Sequence, residues 1–118
     1  MGTFFIREEK LDGESSVILV DGYLDFDAAP GLRQSVLGQI EGGSRHLVID
    51  LSATDFIDST AIGVLVGALK RVRESDGSLA VVCTNENVRS VFEIVGLDDV
   101  IPVLYSREEA VSAITSAA

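Results

Sequence analysis

Apolar positions along this chain follow two periods that alternate. β-rich runs at Thr3–Glu8 and Ser16–Tyr23 flank the polar connection Asp12-Gly13-Glu14, which predicts a hairpin and an antiparallel opening. From Asp27 to Glu41 the apolar residues Leu32, Val36, Leu37 and Ile40 recur at helical spacing, with Pro30 near the start and Gly42-Gly43 at the end. Arg45–Leu51 then carries His46-Leu47-Val48-Ile49-Asp50-Leu51, a run with little alternation, as expected of a central strand covered on both faces. Thr60–Glu74 puts Ile62, Leu65, Leu69 and Val72 on one stripe with Ala61, Val64 and Ala68 beside it, which predicts a second, amphipathic helix. A strand at Ser78–Cys83, a helix at Glu86–Val95 ending at Gly96, a short strand at Val100–Leu104 and a helix at Arg107–Ala117 complete the series. Helices alternating with strands after an opening hairpin predict an α/β fold, a mixed sheet of about four to five strands packed by about four helices.

Composition narrows the picture. The 118 residues suit one domain spanning 1–118, without internal repeat or linker, and with 47% apolar residues such a chain buries a core without disulfides or metals. The longest apolar stretches, Ser16–Val20 and Ala61–Leu69, are far short of the roughly 18 to 20 residues of a membrane span. The start Met1-Gly2-Thr3-Phe4-Phe5-Ile6-Arg7-Glu8-Glu9 lacks the cationic opening of a secretory signal, so a cytoplasmic protein is expected.

Nineteen acidic against nine basic side chains give a net charge of −10, which repels a phosphate backbone and disfavours nucleic acid. Lys70, Arg71 and Arg73 fall in the last turns of the predicted second helix, where cations complement the macrodipole. Cys83, the single cysteine, lies in the apolar run Leu79-Ala80-Val81-Val82-Cys83 and reads as a buried structural thiol. His46, the single histidine, reads as a surface or edge residue rather than a ligand or base. Without a nucleophile–histidine set, metal-ligand spacing or glycine-rich phosphate loop, an enzyme is the least expected class, and no cofactor or metal is implied. Gly63 and Gly67, at i and i+4 on one helix, are expected to serve close helix packing.

Candidate chemistry concentrates in the segment from Asp50 to Gly63, a loop rich in Asp, Ser and Thr that joins the most apolar strand to the most amphipathic helix. One reading is structural: Asp58 or Ser59 serves as the helix N-cap. The other is functional, since the first turn of a helix has unpaired N–H groups and partial positive charge that suit an anion. A phosphate on Ser59 would add roughly −1.5 to −2 charges, favoured by the helix end and repelled by Asp55, Asp58 and Asp25. Phe26, between Asp25 and Asp27, is either an apolar contact or a core residue. A phospho-accepting receiver domain built on Asp50, Asp21, Asp25 and Thr84 is disfavoured by element order. Only one helix separates the early acids from Asp50, and no lysine follows Val100–Leu104.

Beyond residue chemistry, the chain resembles the bacterial anti-sigma factor antagonists, stand-alone STAS domains, from about Ile6 to Ala113. The strand end Asp50-Leu51 and the run Phe56-Ile57-Asp58-Ser59-Thr60-Ala61-Ile62-Gly63-Val64-Leu65 are similar to the family signature. Gly22-Tyr23-Leu24-Asp25, Ala29-Pro30-Gly31-Leu32 and Phe92-Glu93-Ile94-Val95-Gly96-Leu97 resemble further family segments in the same order. The resemblance implies the STAS fold, a ligand rather than an enzyme, and phosphorylation of Ser59 by a cognate anti-sigma factor that is an ATP-dependent serine kinase. It further implies that the unphosphorylated form binds that anti-sigma factor and releases a sigma factor, and that a phosphatase resets the switch. Asp25, Asp58 and Thr60 then belong to the partner-binding surface, and Thr60 is a second acceptor candidate. No nucleic acid or membrane partner is implied, and a monomer is expected. The alternative within the family is a STAS scaffold or transporter-associated subunit that is never phosphorylated. Two positions depart from the pattern: Ala61-Ile62 replaces Gly-Leu beside the hydroxyl pair, and Tyr23 replaces Glu.

Overall fold

The computed structural model describes residues 4–116, so Thr3 and Ala117, the predicted ends of the first strand and last helix, lie outside the described residues. Chain order is β1 (Phe4–Lys10), β2 (Ser15–Gly22), α1 (Ala29–Glu41), β3 (His46–Ala53), α2 (Ser59–Glu74), β4 (Ser78–Val82), α3 (Glu86–Val95), a 3-10 turn (Leu97–Asp99), β5 (Val103–Leu104) and α4 (Arg107–Ser116). One five-stranded sheet runs β1-β2-β3-β4-β5; β1 pairs antiparallel with β2 and every later pair is parallel. This is the mixed α/β architecture that the sequence pattern predicts.

Strand alternation sorts the core into two layers, because successive side chains point to opposite faces. Ile18, Val20, Leu47, Ile49, Leu51, Leu79 and Val81 meet Leu32 and Val36 of α1, Leu65, Leu69 and Val72 of α2, and Val88 and Phe92 of α3. Val17, Val48, Ala80 and Val82 face the other way, onto Ala110 and Ile114 of α4. Covered on both faces, β3 is buried from His46 to Leu51. Among the described residues no helix is long and apolar enough to cross a membrane.

Several boundaries differ from expectation. Helix α1 begins at Ala29 rather than Asp27, because Asp25 Oδ1 accepts hydrogen bonds from the amides of Asp27 and Ala28, both at 3.1 Å, in a turn that holds these residues outside the helix. The last strand is only Val103–Leu104: Val100 follows the 3-10 turn, Ile101 is buried in the larger core, and Pro102 has no N–H for a ladder. His46 is not a surface residue. It is buried, and its Nδ1 lies 2.8 Å from Ser78 Oγ on the neighbouring strand, because the central strand is already covered at its first residue. Cys83 is buried as expected, and burial pushes its thiol pKa up.

Candidate functional site

The loop between β3 and α2 is set by what precedes it. Buried Thr54 donates its hydroxyl to the Val20 carbonyl at 3.0 Å, tying the end of β3 to β2. The ladder between these strands shifts register between Leu19 and Asp21, and Gly22, at φ 109°, turns the chain out of β2 in a conformation that side chains resist. Leu24 and Ile57, both buried, then form an isolated parallel bridge. The Leu24 amide donates to the Phe56 carbonyl at 2.9 Å, and the Asp58 amide donates to the Leu24 carbonyl at 3.2 Å. This bridge places the Asp25 turn beside the start of α2.

Of the two capping candidates, Asp58 is the N-cap. Its backbone is extended, at φ −117° and ψ −179°, and its Oδ1 accepts from the amides of Thr60 at 3.0 Å and Ala61 at 3.1 Å. Ser59 is the first helical residue, exposed to solvent, and Thr60 beside it is also exposed. The cap and the acceptor candidate are therefore separate residues: Asp58 makes the cap bonds, and the Ser59 hydroxyl makes none among the described residues. Asp25 is half-buried, its carboxylate engaged in its own turn, while Asp27 and Asp55 are exposed in the two bridged loops. Ser59, Thr60, Asp25 and Asp58 belong to this one end of the sheet.

Sequence reasoning left Phe26 open and gave Phe56 no role of its own. Phe26 is 66% exposed, and Tyr23 and Phe56 are 46% exposed with ring centroids 5.5 Å apart. Tyr23 and Phe56 form an exposed aromatic pair, and Phe26 is a third exposed ring on the Asp25 turn; solvent-facing rings of this kind suit protein contact. What pairs Tyr23 with Phe56 is the Leu24–Ile57 bridge, which spacing along the chain does not reveal. A receiver pocket is not what Asp50 forms: its carboxylate accepts from Ser52 N at 3.0 Å and pairs with Arg107 at 3.2 Å.

A fold of this topology, with a capped helix opening on an acidic and aromatic loop surface, defines a small α/β domain. The STAS domain family model matches residues 8–110. A candidate anti-sigma factor antagonist of Bordetella bronchiseptica, BtrV, is 32% identical over 92% of this chain and 93% of its own. An anti-sigma-B factor antagonist of Staphylococcus aureus is 30% identical over 73% of this chain and 80% of its own. The crystal structure of an anti-sigma factor antagonist from Mycobacterium paratuberculosis superposes with a TM-score of 0.86 at 28% identity, covering 96% of this chain and 95% of that one. The chain belongs to the STAS domain family and, within it, to the anti-sigma factor antagonists.

Proposed function

We propose that this chain, acting as one domain in the cytoplasm, is a phospho-switched ligand of an anti-sigma factor. Its unphosphorylated form docks the surface around Ser59, with Asp25, Asp58, Thr60 and the rings of Tyr23, Phe26 and Phe56, against an anti-sigma factor that then lets go of a sigma factor. The anti-sigma factor also transfers the γ-phosphoryl group of ATP to Ser59: the Ser59 Oγ–P bond forms, the bond to the β-phosphate oxygen breaks with ADP as leaving group, and the hydroxyl proton passes to a basic group of the anti-sigma factor. A phosphatase hydrolyses the ester and restores the alcohol. The chain is substrate and ligand, not catalyst.

The observation that carries this reading is the division of labour at the start of α2, where Asp58 does the capping and Ser59 stands exposed. Modification need not unfold the helix, because Asp58 keeps the cap and a phosphate at the first helical residue is favoured by the helix dipole. It does change the contact face. A dianion set among carboxylates and aromatic rings must be desolvated before the interface closes, and a partner surface built for rings and a neutral alcohol does not compensate that cost.

The test uses the purified chain, candidate anti-sigma factors and ATP, with mass spectrometry to locate phosphate and calorimetry to read binding. Phosphate on Ser59, retained binding by Ser59→Ala and lost binding by Ser59→Glu are expected. Equal binding by the two variants, or phosphate elsewhere in the chain, overturns the reading.

A further inference from the structure

Between helices α1 and α2 lies an open groove of about 550 Å³. Its floor and walls include Val36, Leu37, Val64 and Ala68. Gly63 and Gly67, expected to press two helices together, do not: a Cβ built on either meets nothing within 4 Å. The two glycines instead leave the space above the floor open.

Charge at this groove runs against the rest of the chain. Arg33, Lys70 and Arg71 line it against one acid, Glu74, in a protein with only nine cations and a net charge of −10. All three are exposed, and none pairs with a carboxylate among the described residues, where the ion pairs belong to Arg45 and Arg107. Placed in the last turns of α2, Lys70 and Arg71 do complement the helix dipole, but Arg33, on α1, has no such role.

We infer that the groove between α1 and α2 docks an acidic, amphipathic helix of a protein partner, along a surface that starts at Thr60, beside the Ser59 switch, and runs down α2 to Glu74. Shape selects the occupant. The lining residues of α2 run from Thr60 to Glu74, about 21 Å of helix, which is long for a small metabolite. An extended peptide would leave its N–H and C=O groups without partners over an apolar floor, whereas a helix satisfies its own. The missing side chains at Gly63 and Gly67 let such a helix approach closely. Cations on both walls favour carboxylates flanking its apolar stripe and repel a basic helix. A membrane is a poorer match, since a concave groove holds its apolar floor away from a lipid surface.

The test titrates the full ¹⁵N-labelled chain with a capped amphipathic peptide of about four helical turns, bearing Leu and Ala on one face and Glu on both flanks. A Lys-flanked counterpart and phosphatidylglycerol vesicles are titrated in parallel. Saturable shifts of the Val36, Leu37, Gly63 and Gly67 amides by the Glu peptide are expected, with binding at least tenfold weaker for the Lys peptide. Gly67→Leu should abolish binding, because a Cβ there meets nothing within 4 Å and the added side chain projects into the groove, and the spectrum away from the groove should report an intact fold. Joint reversal by Arg33→Glu, Lys70→Glu and Arg71→Glu should invert the peptide preference. Equal binding of both peptides, no saturable binding, shifts centred elsewhere, or vesicle binding at these residues without peptide binding would each overturn the inference.

Discussion

The Asp58 amide donates to the Leu24 carbonyl at 3.2 Å, so the residue that caps α2 also fastens the loop leaving β2. One aspartate thus holds the helix start with its side chain and the neighbouring loop with its backbone. Asp58→Ala removes the side-chain cap and is expected to cost about 1 kcal/mol in urea denaturation, whereas Asp58→Asn, which still caps, should stay within about 0.5 kcal/mol of the parent. Because Asn lacks the charge, any loss of anti-sigma factor binding in Asp58→Asn reports electrostatics at the interface and not helix fraying.

Phe26, on the Asp25 turn, is more exposed than either Tyr23 or Phe56. Phe26→Ala is expected to change stability by less than about 0.5 kcal/mol, as a surface substitution does. It should weaken anti-sigma factor binding at least about tenfold, as truncating an aromatic anchor does. Calorimetric titration beside a thermal melt separates the two effects, and unchanged affinity would remove the ring from the interface.

On the opposite face of the sheet, Arg107 at the start of α4 donates from Nε and Nη2 to Asp50 Oδ2, both at 3.2 Å, and its Nη1 reaches Glu9 on β1. The Asp50 side chain is 6% exposed and that of Arg107 37%, so solvent screens the pair on one side only. Arg107→Ala leaves a buried carboxylate without its cation and should cost about 2 kcal/mol. Glu9→Ala, at the exposed end of the same network, should cost less than about 1 kcal/mol. Hydrogen exchange should show α4 amides losing protection first in Arg107→Ala; uniform loss across the sheet would refute a local latch.

Burial raises the Cys83 thiol pKa above its ordinary 9.0, outweighing the contacts that lower it. The folded state therefore prefers the protonated thiol. Its contribution to stability is complete below the ordinary pKa and is lost as pH rises from there toward the raised folded value. Iodoacetamide at about pH 8 should label Cys83 only when denaturant opens the chain, because the thiolate is the nucleophile. The difference in Tm between the parent and Cys83→Ala should shrink above about pH 9. Rapid labelling of the folded protein would contradict a sealed thiol.

Much of this molecule is written in local order. The spacing of Leu65, Leu69 and Val72 foretells α2, and the unbroken run from Leu47 to Ile49 foretells a strand covered twice, because both signals depend on which residues lie a few positions apart. The candidate site's location is legible in the same way: the acid–hydroxyl sequence at Asp58-Ser59-Thr60 points to the start of α2, though either of two residues suits the cap. Backbone geometry made the choice, leaving Ser59 exposed.

What the sequence alone determined, then, is the set of elements, their order, and the acid- and hydroxyl-rich segment that opens α2. Tertiary structure decided everything that needs distant residues to meet. The Leu24–Ile57 bridge sets Tyr23 against Phe56, the packing of two helices leaves Gly63 and Gly67 facing open space, and Arg107 finds Asp50 across the chain. His46 is the smallest case: its position at a strand start suggested exposure, and only the sheet closing around it made it buried. Local periodicity encodes which face of an element is apolar, but not what covers that face, because that depends on how the other elements close over it.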